Sequence, residues 1–225
     1  TETQRFLLAE RQGGVTKMLM AATTHSRFTI GKDNSVRTAF VSSFPPRQCG
    51  LATFTSDLLS AVELDSGAPA SVVAINEHPG TRPSDAHVVA EIEKDRLLSY
   101  RAAAENLSAL PVDIVNVQHE YGLFGGEWGK YLLKFYEHIS QPIVTTLHSV
   151  LPNPDLNLRS VTAAIIGKSR AVVTMADAAT NILVRDYGAD AAKITHIPHG
   201  IPDVHLPQRA TALARAQLDL GGRFV

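Results

Sequence analysis

From about residue 36 onward, short apolar runs alternate with stretches whose apolar residues return at helical spacing. The runs at 38–42, 71–75, 88–92, 113–118, 142–147, 171–175 and 193–197 are short and apolar, and most are rich in Val and Ile on both faces instead of alternating. A strand that is apolar on both faces must be covered on both sides, so these runs predict parallel strands between two helical layers. Between them the period changes. At 53–62, Phe54, Leu58, Leu59 and Val62 fall on one helical face. The same reading predicts helices at 96–110, 129–139, 155–168, 176–187 and 206–220, that at 176–187 closed by Gly188. Pro45-Pro46 ends the first strand, because proline cannot donate to a ladder. Alternating strand and helix units predict the α/β class, with a doubly wound parallel sheet and helices on both faces.

The flanks read differently. Residues 1–34 mix Gln, Arg and Thr with Gly13-Gly14 and a short apolar patch at 18–22, and are taken as an N-terminal arm. Residues 35–203 are taken as the α/β domain and 204–225 as a linker leading into a second domain. Gly221-Gly222 breaks the last helical stretch, and Arg223-Phe224-Val225 looks like the opening of another strand. A strand of that length has no reason to exist alone, so the polypeptide is expected to continue.

Composition acts mainly by exclusion. The chain has 225 residues, 44% hydrophobic and 19% charged, with a formal net charge of −1. That is an ordinary globular composition, and it argues against nucleic acid as the partner, since phosphate binding leaves a basic excess. Cys49 is the single cysteine, which excludes an intrachain disulfide and a multi-cysteine metal site and suits a reducing, cytoplasmic setting. No apolar run approaches the length of a membrane span, and the first 30 residues hold no continuous signal-type apolar stretch.

In an open parallel sheet, ligands bind beyond the carboxyl ends of the strands, so the residues that follow each strand carry the chemistry. His148 follows the fifth strand directly and is placed to exchange a hydrogen bond in a cleft. His119-Glu120 follows the fourth. The two could act as acid and base, or could bond to each other and shape the loop; a metal held by His119, Glu120 and His148 has no supporting spacing. Gly50 precedes a helix whose first turn holds Thr53 and Thr55, and free N–H groups there attract phosphate or sugar oxygens. The turn from Gly122 to Gly129 resembles it in kind; for both, a glycine needed only for positive φ is the competing explanation. Glu77 stands where a dinucleotide domain keeps its ribose acid, but the G-x-G-x-x-G fingerprint is absent, as is a G-x-x-x-x-G-K-[ST] loop.

Four stretches carry a resemblance. They are Ser43-Phe44-Pro45-Pro46-Arg47-Gln48-Cys49-Gly50-Leu51-Ala52-Thr53-Phe54, Gln118-His119-Glu120-Tyr121-Gly122-Leu123-Phe124-Gly125-Gly126, Thr145-Thr146-Leu147-His148-Ser149 and Ile197-Pro198-His199-Gly200-Ile201-Pro202-Asp203. In this order and at these intervals they resemble the N-terminal domain of a GT-B glycosyltransferase, most similar to the retaining family 4 group. The resemblance implies two Rossmann-like domains facing across a cleft. The N-terminal one, present here, mainly receives the acceptor. The C-terminal one, expected after residue 225, holds most of the nucleotide-sugar donor and a paired-glutamate motif that has no counterpart in this sequence. No cofactor beyond the nucleotide-sugar is implied; the partners are that donor and a sugar or other hydroxyl acceptor. Gly50 resembles the glycine that approaches the donor phosphate or transferred sugar, and His148 the histidine that contacts the sugar near the reacting centre. The candidate catalytic set is therefore His148, His119 and Glu120. The candidate binding set is Gly50, Leu51, Ala52, Thr53, Gly125, Gly126, Ser149, His199 and Gly200. His199-Gly200 also lies where the chain starts to leave the domain, so hinge architecture is its first role. A sugar-nucleotide epimerase of the same fold, or a non-catalytic carbohydrate- or partner-binding domain, are the alternatives.

Overall fold

The computed structural model describes residues 35–77, 85–200 and 208–217. Its strands are β1 (Thr38–Ser42), β2 (Ser71–Asn76), β3 (Val88–Glu93), β4 (Ile114–His119), β5 (Ile143–Leu147), β6 (Ala171–Thr174) and β7 (Ile194–His196). The helices are α1 (Gly50–Ser66), α2 (Leu97–Ser108), α3 (Leu132–His138), α4 (Leu156–Lys168), α5 (Asp177–Tyr187) and α6 (Gln208–Gln217). The strands form one sheet in the order β3-β2-β1-β4-β5-β6-β7, and every pairing is parallel. The chain winds outward from β1 to β3, then returns to lay β4 against the other side of β1. The crossover between β1 and β4 is the topological switch point, and the loops beyond it diverge to leave a crevice.

Helices cover both faces, as the unalternated Val and Ile runs require. On one face Ala39, Val41, Val73, Ile75, Val115 and Val117 pack against Tyr100, Ala103 and Leu107 of α2 and Leu132 and Phe135 of α3. On the other, Phe40, Val72 and Ala74 pack against Leu58 and Leu59 of α1. A third cluster joins Leu147 and Val172 to Leu158 and Ile166 of α4 and Leu183 and Tyr187 of α5. Each fully buried Leu, Ile or Phe of these layers contributes about 1.5–3 kcal/mol of transfer free energy. At the amino edge of the sheet, Arg37 and Asp113 form a two-pronged ion pair at 2.8 and 2.9 Å, which holds the Asp113 carboxyl down at about 2. Both side chains are exposed, so the pair adds little to stability.

All seven expected strands are present, and two helix starts differ from the periodicity. Helix α1 begins at Gly50, not at residue 53, because Cys49 caps it: its Sγ accepts from the Ala52 N–H at 3.4 Å. Helix α3 begins at Leu132, not at 129, because Gly126, Trp128 and Gly129 have φ of 76°, 56° and 75°. Left-handed backbone cannot continue a helix. The sheet and its helices lie within a compact unit that ends at His199, while α6 belongs to a second unit. The expected arm at 1–34 and strand at 223–225 lie outside the described residues. Of the expected 206–220 helix, residues 208–217 are described and helical. Among the described residues no helix is long and apolar enough to cross a membrane.

Candidate active site

The crevice edge is built from the residues that follow β1, β4 and β5. After β1, Ser43 and Phe44 are buried, and Arg47 reaches across to Glu77 at the end of β2, Nη2 to Oε1 at 2.6 Å. Glu77 is thus an ion-pair partner of Arg47 instead of a lone ribose acid. Helix α1 then starts at Gly50. This glycine has no positive φ, and a Cβ placed on it would meet no atom within 4 Å. Nothing among the described residues requires a glycine there. Its N–H and that of Leu51 come before the first intrahelical bond, in the field of a helix start. Ala52 is fully buried, Thr53 is exposed, and Thr55 is turned inward to donate to Ser42 Oγ at 2.8 Å.

His148 lies one position beyond β5. Its N–H donates to the His119 carbonyl at 3.0 Å, continuing the ladder past the strand ends. The ring is half-buried. Nε2 bonds Gln118 Oε1 at 2.7 Å, and Gln118 is oriented in turn because its Nε2 donates to Asn116 Oδ1 at 2.6 Å. Phe54 of α1 stands edge-on to the His148 ring, with centroids 5.0 Å apart at 88°, and also touches His199 at 5.1 Å. Phe54 is one turn beyond Gly50 and shares its helix face. Gly50, His148 and His199 are therefore brought to one locality by a side chain that sequence periodicity assigns to the core. Desolvation first, and the neighbouring His199 second, lower the His148 pKa to about 4, so the ring is neutral near pH 7.

His119 and Glu120 do not form a pair. His119 points the other way from Gln118, as successive strand residues must. Its ring is fully buried, stacked on Phe124 at 5.7 Å and edge-on to Tyr121 at 5.1 Å. Neither ring nitrogen has a hydrogen-bond partner among the described residues. Burial, with a smaller push from His148, lowers its pKa to about 3. The imidazole is an enclosed neutral ring and not a group presented at the crevice. Glu120 lies past the strand end, where Oε1 accepts from the Tyr121 N–H at 3.0 Å and Oε2 accepts from Ser149 Oγ. Glu120 and Ser149 thereby tie the loop after β4 to the loop after β5.

Gly125 and Gly126 have reasons internal to the fold. A Cβ on Gly125 would sit 2.0 Å from the Lys94 carbonyl oxygen and 2.7 Å from Tyr131. The Gly125 N–H donates to Tyr100 Oη at 2.8 Å, and that hydroxyl donates to the Lys94 carbonyl at 2.7 Å. The Gly125 carbonyl accepts from Tyr131 N at 3.0 Å. The N–H is therefore committed within the fold, and the carbonyl already has a partner there. Gly126 is required by its φ of 76°. His199 is exposed at the end of the sheet unit, and Gly200 falls in the other unit. Among the described residues no group of three His, Cys, Asp or Glu side chains is arranged to hold a metal ion.

Residue types alone missed the Asn116–Gln118–His148 chain and the contact of Phe54 with His148. Two amides on alternate positions of an otherwise apolar strand were the available signal for the first.

A solved glycosyltransferase from Rickettsia africae ESF-5 superposes with a TM-score of 0.58 over 84% of this chain and 51% of its own, at 18% identity. A solved alpha-glucosyltransferase in complex with UDP and a 13-mer DNA containing a HMU base aligns over 72% of this chain and 42% of its own, at 13% identity and a TM-score of 0.49. The chain thus spans about half the length of the Rickettsia structure, and at this identity the likeness is one of fold. No curated protein matches the sequence. The model for Glycosyltransferase Family 4 matches residues 63–204, more than half of the chain. With that match, and with the parallel sheet it implies in place, the chain belongs to glycosyltransferase family 4.

Proposed function

We propose that this chain is the acceptor-side half of a retaining glycosyltransferase, which moves a sugar from a nucleotide-sugar to a sugar or other hydroxyl acceptor. The donor's nucleotide is held mainly by a second α/β domain that follows in the same polypeptide. The observation that carries this reading is the contact of Phe54, one turn beyond Gly50 at the start of α1, with His148 beyond β5, on the carboxyl side of the sheet next to the β1–β4 switch point. Sugar transfer from a diphosphate develops charge on the leaving group and on the anomeric carbon. The start of α1 offers backbone N–H groups to the first, with open space above Gly50 for close approach. His148, neutral and fixed by Gln118, offers a hydrogen bond to the transferred sugar or the incoming hydroxyl. Glu120 and Ser149 hold its two loops together. Net charge −1 favours a neutral hydroxyl acceptor over nucleic acid. One thiol, engaged as a helix cap, suits the cytoplasm.

The test is sugar transfer by the full-length protein, scored as glycosylated product and freed nucleotide over a panel of nucleotide-sugars. His148→Ala is expected to lower kcat by about 100-fold or more, the scale of losing one preorganised hydrogen-bonding group at a reacting centre. Turnover undiminished in that variant would remove His148 from the mechanism. Epimerised donor in place of glycosylated product would assign the fold to the other reaction.

A further inference from the structure

We propose that Gln118 is a positioning residue for His148: its carbonyl oxygen takes the Nε2 proton and leaves Nδ1 as the bare nitrogen that accepts a hydrogen bond from a substrate hydroxyl. This rests on the placement of His148 in the site proposed above. The direction of the chain follows from donor and acceptor chemistry. Gln118 Nε2 lies 2.6 Å from Asn116 Oδ1, so the amide nitrogen faces Asn116 and the amide oxygen faces His148. An amide oxygen only accepts, so the His148 nitrogen 2.7 Å from it carries the proton. Gln118 is fully buried and Asn116 nearly so, which deprives the pair of competing water. Nδ1 of His148 has no partner among the described residues.

The choice of an amide over a carboxylate matters. A carboxylate on a ring nitrogen stabilises the imidazolium and makes histidine a base; an amide orients the ring without favouring the charged form. The ionisable groups around the ring agree with a neutral role. His119 lies behind it on β4, His199 lies beyond Phe54, and the nearby Glu120 is occupied by Ser149 and the Tyr121 N–H. No element packed against the ring brings a carboxylate into contact with it in the described residues. His148 is thus a hydrogen-bond acceptor of fixed geometry.

The experiment is nitrogen-15 NMR of the histidine rings in the full-length protein, wild type and Gln118→Glu, with transfer kinetics on the same samples. In the wild type, His148 is expected to carry its proton on Nε2 and to stay neutral down to about pH 5. In Gln118→Glu its midpoint is expected to rise by at least about one pH unit. The kcat profile of that variant then gains an acid limb that follows the new midpoint. A second variant, Gln118→Met, removes the acceptor without adding charge; it is expected to lower kcat about tenfold with little change in KM, and it keeps the test open should the buried carboxylate prevent folding. A wild-type proton on Nδ1, or a His148 midpoint unmoved in Gln118→Glu, overturns the proposal whatever the enzyme transfers. Failure of His148→Ala to affect transfer overturns instead the placement of His148, and the NMR result stands apart from it.

Discussion

Two glycines that look alike in sequence are expected to behave oppositely when each becomes alanine. At Gly125 the new Cβ meets the Lys94 carbonyl oxygen at 2.0 Å and Tyr131 at 2.7 Å. The nearer atom is backbone, so relief requires the β3–α2 connection and the loop after β4 to separate by more than an ångström. Overpacking of this kind costs about 1–3 kcal/mol. The separation also stretches the bonds from Gly125 N to Tyr100 Oη and from Tyr100 Oη to Lys94 O, each worth about 1 kcal/mol. The expected loss is therefore about 3–5 kcal/mol. At Gly50 nothing lies within 4 Å and φ is not positive, so alanine is tolerated and stabilises by about 0.4–1 kcal/mol through the unfolded chain. Urea unfolding followed by fluorescence reads both, since Trp128 is the sole tryptophan of these 225 residues and lies in the loop that Gly125 anchors. At an m-value of about 2 kcal/mol/M, Gly125→Ala should lower the midpoint by about 1.5–2.5 M. A Gly125→Ala midpoint within about 0.3 M of wild type would refute the close approach. Transfer assays on the full-length protein supply the other half: Gly50→Ala should keep its fold and lose turnover. Full activity in a folded Gly50→Ala protein would mean that no ligand uses the open space.

The remaining predictions concern the two carboxyl-edge loops. The His119 ring is neutral in the fold with a pKa near 3, whereas the unfolded chain takes a proton near 6.5. Stability is therefore flat above about pH 6.5 and falls as pH drops towards 3, by up to about 1.4 kcal/mol per unit. His119→Leu should flatten that limb by about one proton, measured as the pH dependence of the urea midpoint; an unchanged slope would place the acid sensitivity elsewhere. Glu120→Gln leaves one amide oxygen for two donors, Ser149 Oγ and the Tyr121 N–H, and should cost about 1–2 kcal/mol. A double-mutant cycle with Ser149→Ala should return a coupling of about 1 kcal/mol, and strict additivity would show that the bridge contributes nothing.

The sheet was legible because its signal is spread over many residues. Seven short apolar runs, most of them rich in Val and Ile, each predicted a strand, and hydrophobic cover on both faces left a parallel order as the solution. Helix starts were less legible, because single residues set them. Cys49 caps α1 through its sulfur, which no standard cap preference anticipates. Trp128 adopts a left-handed backbone between two positive-φ glycines and delays α3 to Leu132. Of the proposed site, His148 and Gly50 are the residues that topology puts forward, since each follows a parallel strand on the carboxyl side of the sheet. Phe54 could not, because it packs on the core under α1 and also touches His148, and a helical period sees only the first.

Gln118-His119-Glu120 shows why residue type alone cannot assign roles at a strand end. All three are polar and consecutive, and a reader weighing chemistry favours the histidine and the acid. Geometry distributes them otherwise. The two-residue period sends Gln118 to the face shared with Asn116 and His148, and sends His119 to the opposite face against Phe124. Glu120, one residue past the ladder, is released from both faces and reaches sideways to Ser149 on the neighbouring loop. The least reactive of the three thus touches the group best placed for chemistry. The most reactive is enclosed where its charged form is expelled. A one-residue slip of β4 would exchange these fates and put an imidazole against His148 in place of an amide. The pairing of Val117 with Thr145, His119 with Leu147 and Val41 with Val117 prevents that slip, because it would also turn Val115 and Val117 out of the α2–α3 core. The hydrophobic register that builds the sheet is therefore also what decides which of three polar side chains meets His148.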